Sequence, residues 1–234
     1  FAIAVWNIKT KKLYLIRDRF GEKPLYYGWS NGIFLFGSEL KALRSYKGFN
    51  NEIDRSSLSL YMQYMYVPSP YSIFKDIYKL DPGCILEIDS IGAMQSPKQI
   101  TSFTFNSKGV GIKQWYSLSD IVKNSQNNLI TDENEAVELL EETLLKSVQS
   151  QLISDVPLGA FLSGGVDSST IVALMSNECS HPVKTFTIGF EESAFNEAVY
   201  AKEVARHLGT EHHELYVTAS DAFKIIPSLP TLYD

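Results

Sequence analysis

The residues of this chain that are best suited to chemistry are six small or polar ones that follow an apolar run at positions 158–162. They are Ser163, Gly164, Gly165, Asp167, Ser168 and Ser169. The glycines let the main chain approach a ligand closely. Asp and Ser favour helix starts, where unpaired N–H groups and the helix dipole attract phosphate. The pattern predicts a strand buried on both faces of a parallel sheet, then a phosphate-binding loop, then a helix capped by Asp167, Ser168 or Ser169.

Affinity for a nucleotide requires several donors to converge on this loop. A helix terminus alone contributes roughly 0.3–1 kcal/mol per charge, and a hydrogen bond to a charged group about 1.5–3 kcal/mol. Gly159 and Gly164 have the spacing of a Walker loop, but Gly165 stands where its lysine should be, which excludes a P-loop NTPase. The alternative is an ordinary strand-to-helix turn in which Asp167 only caps the helix.

The loop resembles the pyrophosphate loop of the ATP pyrophosphatases, and residues 152–157 before it are similar to those of the glutamine-hydrolysing asparagine synthetases. The resemblance implies that the serines and glycines of the loop hold the phosphates of ATP and that Asp167 binds Mg²⁺. It also implies that Leu162 and Ile188 line the ATP site. The general base of the synthetase is expected beyond Asp234.

Two hairpins are predicted in the N-terminal part of the chain. Residues 1–8 and 13–19 alternate as strands around a polar turn, and residues 25–29 and 33–36 flank the strong turn signal Asn31-Gly32. Short helices are expected at residues 38–44 and 57–65. The sequence therefore predicts an antiparallel sheet with small helices, an α+β arrangement.

The charged residues 17–23 lie between two of these strands. They predict a loop with ion pairs at a sheet end, the alternative being a solvated hairpin end. Residues 17–27 and 36–43 resemble the closing part of the glutaminase domain in the same synthetases, a domain of the N-terminal-nucleophile fold (class II glutamine amidotransferase).

The two cysteines of the chain, Cys84 and Cys179, do not suit the role of glutaminase nucleophile. Cys84 follows Asp81-Pro82-Gly83 at a strand start and Cys179 lies at a helix end, so both are interpreted as structural. The resemblance implies a nucleophilic cysteine upstream of Phe1. The chain looks like a fragment, and alone we expect it to lack glutaminase activity.

A polar segment and a linker separate the two predicted parts. Residues 90–111 are rich in Gly and Ser and predict a loop excursion without an assigned role. Residues 117–129 have the composition of a linker. The resulting domain prediction is residues 1–118 for the glutaminase part, 119–131 for the linker and 132–234 for the start of a synthetase domain.

The C-terminal part alternates helices and strands, which predicts a parallel α/β sheet. A capping box at residues 132–135 opens a helix whose apolar stripe is Val137, Leu140, Leu144, Val148 and Leu152. A strand at 183–190, a helix at 196–208 closed by Gly209, a strand at 214–217 and a helix near Ser220 follow. The strand at 183–190 should end beside the phosphate loop. His212 and His213 precede the last strand and are interpreted as surface or edge histidines.

Composition limits the partners. The net charge of -6 and the pI near 5.3 argue against nonspecific nucleic-acid binding, and no apolar run has the length of a membrane span. Two distant cysteines without a metal-binding spacing favour a cytoplasmic setting. The expected ligands are small molecules: ATP and Mg²⁺ with aspartate and glutamine. A homodimer is left open.

The resemblance thus implies ATP-dependent amidation of aspartate to asparagine through an aspartyl-adenylate, with ammonia from glutamine. Two alternatives stay open. One is a related amidotransferase acting on another carboxylate, as in β-lactam synthetases or enzymes of surface polysaccharides. The other is a nucleotide-binding protein without catalysis.

Overall fold

A computed structural model describes residues 1–94, 105–107, 109–192 and 196–234. Its contacts separate the chain into two units, the first formed by residues 1–127 with Asp234 and the second by residues 128–233. The strands of the first unit are β1 (Ala2–Asn7), β2 (Lys12–Arg17), β3 (Tyr26–Ser30), β4 (Ile33–Gly37), β5 (Ile77–Lys79), β6 (Cys84–Ile88), β7 (Phe105–Ser107) and β8 (Val110–Gln114). Its helices are α1 (Leu40–Arg44), α2 (Arg55–Tyr64), α3 (Ser90–Met94) and α4 (Leu118–Ser125).

Both predicted hairpins are present in the first unit. Strands β1 and β2 pair antiparallel with Ala2 opposite Arg17, and β3 pairs with β4 around the predicted turn. Asn31 and Gly32 have φ angles of 50° and 77°, which the favoured two-residue hairpin turn requires. The strands form two antiparallel sheets in the orders β1-β2-β6-β8-β7 and β4-β3-β5. The antiparallel prediction is confirmed.

The main core of the first unit combines side chains from both sheets. Its buried members are Leu15, Leu25, Tyr27, Trp29, Leu80, Cys84, Leu86, Ile88, Val110 and Ile112. A second cluster packs α1 against the β3 sheet through Leu40, Leu43, Phe49, Phe74 and Ile77. Burial of these apolar groups holds the sheets together.

Two predictions for the middle of the chain need correction. The predicted loop at 90–111 begins with helix α3, in which Gly92 N–H donates to Asp89 Oδ1 at 3.0 Å, and β8 starts already at Val110. Residues 95–104 and 108 of that loop lie outside the described residues. The predicted linker contains helix α4, capped by Ser117, which accepts the Asp120 N–H at 3.3 Å. The polar composition of this segment is typical of a linker, so the sequence did not indicate a helix, whose start depends on a single local cap.

The described residues of the second unit form the strands β9 (Gly159–Phe161), β10 (Lys184–Phe190) and β11 (Glu211–Val217). Its helices are α5 (Glu133–Gln151), α6 (Val166–Glu178), α7 (Ala198–Leu208), α8 (Ala219–Ile225) and α9 (Leu229–Leu232), with a 3₁₀ turn at Ile226–Ser228. The strands form one parallel sheet in the order β11-β10-β9. The predicted parallel α/β arrangement is therefore confirmed.

Strand β9 differs from its prediction. It is an edge strand of three residues in the described sheet, and Phe161 is 81% exposed. The expectation of a strand buried on both faces is wrong for the described residues. Only Leu162, which is 2% exposed, is fully enclosed, in a cluster with Val172, Ala201 and Ala205.

Helix α5 is capped as predicted, with Asp132 accepting the Glu135 N–H at 2.9 Å. Its apolar stripe is buried only in the C-terminal half, where Leu144 and Val148 pack against α6. Val137 and Leu140 are 58% and 59% exposed, so the prediction of one continuous buried stripe is wrong. Helical spacing identifies a face of a helix but not the extent of the surface that covers it.

Helix α7 ends at Gly209, whose φ of 67° is the left-handed conformation expected at this cap. Strand β11 begins three residues earlier than predicted, so His212 and His213 lie within it and not before it. None of the helices in the described part of the chain combines the length and apolarity that crossing a bilayer requires.

Candidate functional site

The glycine-rich loop lies at the carboxyl end of β9, the position where parallel sheets bind ligands. Gly164 has a φ of 80°. An added Cβ would approach the Ala201 nitrogen to 2.7 Å and the Tyr200 carbonyl carbon to 2.8 Å. The start of α7 thus packs directly on the loop, and only glycine fits at this position.

Two serine hydroxyls close the loop on itself. The Ser163 and Ser168 Oγ atoms are 2.9 Å apart, and Ser168 Oγ also accepts the Ser163 N–H at 3.2 Å. The Gly165 N–H donates to Ser163 Oγ at 3.3 Å. These bonds hold a short concave segment at the helix start.

The start of α6 differs from the prediction. Gly165 is the N-cap residue, and no side chain caps the helix. Asp167, Ser168 and Ser169 instead lie in the first turns, and the Ser169 N–H makes a helical bond to the Gly165 carbonyl at 3.1 Å. The N–H groups of the first three residues precede that bond and have no partner within the helix. Because Gly165 occupies the cap, Asp167 is not a capping residue.

Asp167 extends into solvent at this helix start. No hydrogen bond or ion pair joins its carboxylate to the rest of the described chain. Ser169 has the opposite character, because its hydroxyl is buried and lacks a partner among the described residues. The loop therefore presents unpaired donors, hydroxyls and one acidic group on a short path.

The main chains of Leu162 and Ile188 lie close together, but their side chains do not. Their main chains are neighbours, since the Leu162 N–H donates to the Phe186 carbonyl at 2.9 Å. Their side chains project to opposite faces of the sheet, because Leu162 is enclosed while Ile188 is 50% exposed in the alternating pattern of β10. A ligand at the strand ends would meet the main chain of Leu162 and the side chain of Ile188.

Sequence reasoning missed Thr187, which touches the loop from β10. Its side chain is 6% exposed and its hydroxyl donates to the Leu162 carbonyl, the last before Ser163. The signal available in sequence was the Thr-x-Thr alternation of the strand, which places polar groups on an otherwise covered face.

The charged loop of the first unit proves to be a buried network and not a set of surface ion pairs. Arg17 and Asp18 are 6% and 7% exposed. The Arg17 guanidinium donates to the carbonyls of Lys23, Leu80 and Gly21 at 3.0, 2.5 and 2.8 Å. Burial lowers the pKa of Arg17, while the nearby Asp18 carboxylate acts in the opposite direction.

Asp18 organises the same loop by accepting main-chain hydrogen bonds. Its carboxylate accepts the N–H groups of Phe20, Glu22 and Lys23 at 3.1, 2.9 and 3.1 Å. Burial acts to raise the pKa of Asp18, but the hydrogen bonds from Lys23 and Glu22, together with the N-terminal amine, outweigh it and the pKa lies well below its usual range. The expected solvated hairpin end is corrected by this network. The expected ion pairs are present in part, since Asp18 pairs with the N-terminal amine of Phe1 at 3.2 Å while Arg17 binds main-chain carbonyls.

The two cysteines lie in different environments. Cys84 is buried at the start of β6, and burial, with the charge of Asp81, raises its pKa to about 12. Cys179 is exposed and follows the last residue of α6. Neither forms a disulfide. The Cys84 thiol therefore stays protonated and unreactive at neutral pH.

His212 and His213 point to opposite faces of β11, as adjacent strand residues do. His212 Nδ1 lies 2.9 Å from the Thr185 hydroxyl, while its Nε2 is buried without a partner among the described residues. Burial lowers the pKa of His212. His213 stacks on Phe186 and lies 3.1 Å from Glu211.

The fold defines a class: an antiparallel unit followed by a parallel α/β unit with an open, donor-rich loop at a strand end. Comparison with known families agrees with that division. Residues 1–99 match the model of the glutamine amidotransferase domain, and residues 139–234 match the model of asparagine synthase. The chain belongs to the family of glutamine-hydrolysing asparagine synthetases.

Relatives from distant organisms support this assignment. The chain is similar to putative asparagine synthetase [glutamine-hydrolyzing] 2 of Methanocaldococcus jannaschii, with 32% identity covering 100% of the chain and 42% of the relative. It is 33% identical to asparagine synthetase [glutamine-hydrolyzing] 1 of Bacillus subtilis, covering 100% of the chain and 33% of the relative. For the probable asparagine synthetase of Dictyostelium discoideum the identity is 26%, covering 98% and 35%. The chain thus spans less than half the length of these relatives.

Proposed function

We propose that the full-length protein is a glutamine-dependent asparagine synthetase that uses ATP to convert aspartate to asparagine. The observation that carries the proposal is the glycine-rich loop at a strand end, where the first N–H groups of α6 have no partner within the helix and the Ser163 and Ser168 hydroxyls, bonded to each other, lie on the same short segment. Membership of the family supports the choice of reaction.

In this proposal the loop binds the pyrophosphate part of ATP. Ser163, Ser168 and Ser169 supply hydroxyls, and the free N–H groups at the start of α6 supply further donors. Gly164 and Gly165 let the main chain come close to the phosphates. Leu162, which follows β9, and Ile188, in the second half of β10, are the residues proposed to contact the nucleoside. Several such donors together exceed the contribution of a helix terminus alone.

The residues present also fit Mg²⁺, which prefers carboxylate and phosphate oxygens and usually takes only one or two carboxylates from the protein. Asp167 offers one exposed carboxylate beside the loop. The described residues hold no cluster of three His, Cys, Asp or Glu side chains that could bind a metal, so most ligands would come from ATP and water. Bound Mg²⁺ would offset negative charge on the leaving pyrophosphate.

The loop composition indicates where ATP is cleaved. Gly165 replaces the lysine that reaches the outer phosphates in Walker loops. The remaining donors suit a β,γ-pyrophosphate unit that departs as one group. We therefore propose attack of the aspartate carboxylate on the α-phosphorus, followed by attack of ammonia on the resulting acyl-adenylate. The resemblance places the general base of the synthetase beyond Asp234.

Ammonia would come from glutamine in the amidotransferase part. Cys84 does not suit the nucleophile because its thiol is buried and its pKa is raised to about 12. Cys179 lies in the second unit. The resemblance to the synthetases implies an N-terminal cysteine as nucleophile, and the proposal places it upstream of Phe1 on that ground.

The remaining parts of the proposal concern setting and specificity. Two cysteines without a disulfide support a cytoplasmic location. A homodimer is the proposed assembly. Aspartate is the proposed acceptor, and other carboxylates are the competing substrates.

The test resolves the nucleotide products. Full-length protein is incubated with ATP, Mg²⁺, glutamine and aspartate, and in parallel with other carboxylates in place of aspartate. We expect AMP, pyrophosphate and asparagine in equal amounts, dependent on aspartate. Equal amounts of ADP and phosphate would refute the assignment of the loop, and turnover only with another carboxylate would refute the acceptor.

A further inference from the structure

The end of strand β9 is set by a side chain of its neighbour. Strands β9 and β10 pair in parallel up to Phe161 opposite Phe186, and the Leu162 N–H still donates to the Phe186 carbonyl at 2.9 Å. A continuing parallel ladder would bring the Leu162 carbonyl to the next main-chain N–H of β10 that faces β9, that of Ile188. The Leu162 carbonyl instead accepts the Thr187 hydroxyl.

This hydrogen bond lies immediately before the phosphate loop. Leu162 is enclosed, with 2% exposure, and Thr187 is 6% exposed. A buried carbonyl needs a partner, and here a side chain supplies it. The next residue, Ser163, turns away from the sheet and bonds Ser168. The direction in which the chain leaves β9 is therefore fixed by Thr187.

We propose that Thr187 is a positioning residue for pyrophosphate binding. Its hydroxyl ends the pairing of β9 with β10 and thereby places Ser163 and the amides of the loop for the ligand. Thr187 does not touch the ligand itself. This inference rests on the proposed function, since it concerns the loop that binds ATP.

The same strand provides a matched control. Thr185 is 0% exposed and lies on the same face of β10. Its hydroxyl contacts the Thr210 hydroxyl and His212 Nδ1, each at 2.9 Å, and not the loop. A Thr→Val change at either position replaces one buried hydroxyl with a methyl group of nearly the same volume. Only the change at 187 frees the Leu162 carbonyl.

The experiment compares Thr187→Val, Thr187→Ser and Thr185→Val in the full-length protein. Aspartate-dependent exchange of labelled pyrophosphate into ATP gives KM and kcat, and urea denaturation gives stability. We expect Thr187→Val to raise the KM for pyrophosphate roughly 10-fold or more, the effect of one hydrogen bond that the displaced loop no longer makes to the ligand. Thr187→Ser should restore KM, because it keeps the hydroxyl. Thr185→Val should lower stability and leave KM near the wild-type value.

Equal KM values for Thr187→Val and the wild type would overturn the inference. So would an equal rise in KM for both valine variants, because the role would then be general packing. If the wild type shows no exchange, the proposed function fails, and calorimetric binding of magnesium pyrophosphate to the same proteins decides the role of Thr187. In that case binding weakened in Thr187→Val and restored in Thr187→Ser supports the inference, and unchanged or absent binding refutes it.

Discussion

Two polar loops of this protein, one in each unit, use their polar groups in opposite ways. In the loop at residues 17–23, Arg17 and Asp18 are buried and between them bind six main-chain groups of the first unit. In the loop at residues 163–169, the Ser163 and Ser168 hydroxyls bond each other, but the first N–H groups of α6 have no partner within the helix and Asp167 extends into solvent. The first loop is closed by its own charged side chains. The second is left open.

The difference shows how a polar sequence can serve stability or binding. A buried charged group stabilises a fold when all its hydrogen-bonding capacity is used within the protein. Unpaired donors at a helix start are available to a ligand. The glycine-rich loop of the second unit therefore remains the better candidate for chemistry, although the charged loop of the first unit is richer in ionisable residues.

The largest effect is expected from breaking the closed loop. Asp18→Ala leaves the N–H groups of Phe20, Glu22 and Lys23 without their acceptor. Each buried unsatisfied donor costs about 1–3 kcal/mol, with partial relief from water, so we expect the free energy of unfolding of this unit to fall by about 3 kcal/mol. Urea denaturation of the full-length protein measures it.

The matched control is Glu22→Ala, which removes an exposed carboxylate from the same loop. Its effect should stay within about 0.5 kcal/mol, as for most surface substitutions. If Asp18→Ala were as mild as this control, the buried network would not be what holds the loop.

A substitution in the open loop should lower the rate of asparagine formation and leave the free energy of unfolding nearly unchanged. Asp167→Asn removes the charge proposed to bind Mg²⁺ and should lower asparagine formation about 100-fold, equivalent to about 2.7 kcal/mol. The helix start should lose less than about 1 kcal/mol, since only the favourable interaction with the dipole is affected. Glutamine hydrolysis should continue because the amidotransferase part is unchanged.

Glu138→Gln on the exposed face of α5 is the charge-matched control and should leave synthesis unchanged. Product formation is measured at saturating Mg²⁺, alongside the thermal midpoint. Full synthesis by Asp167→Asn would show that the loop binds its ligand without a carboxylate.

The smallest effect concerns His212, whose Nδ1 lies beside the Thr185 hydroxyl and whose Nε2 has no partner among the described residues. Burial lowers its pKa, with Lys202 and His213 acting in the same direction and Glu214 in the opposite one. As the pH falls, His212 therefore takes up a proton in the unfolded chain at a higher pH than in the folded protein. Stability from the neutral ring is complete above about pH 6.5 and is lost as the pH falls through the lowered pKa of the folded state.

Urea midpoints at pH 7.5 and 5.0 test this expectation. The decrease at pH 5.0 should be smaller in His212→Asn, and it should persist in the control His213→Asn, whose ring is 50% exposed. An identical decrease in both variants would assign the pH dependence to other groups.

Local patterns in the sequence predicted much of the fold. The Asn31-Gly32 turn, the Asp132 cap and the Gly209 helix end each depend on a few neighbouring residues, and all three occur as expected. The order of strands and helices after residue 132 predicted a parallel sheet for the same reason. Where the outcome depended on distant residues, the predictions failed. Val137 and Leu140 of the expected buried stripe are exposed, since burial is a property of what lies opposite.

For this protein the sequence by itself determined the glycine-rich loop, its family resemblance and the strand–loop–helix order that carries it. Only the tertiary structure decided which polar groups are closed and which stay open. In the folded protein Arg17 and Asp18 are buried, and Gly165 is the N-cap residue of α6. The Thr187 hydroxyl donates to the Leu162 carbonyl. The physical reason is that a hydrogen bond between residues far apart in sequence leaves no local pattern. It forms when packing brings donor and acceptor together away from water.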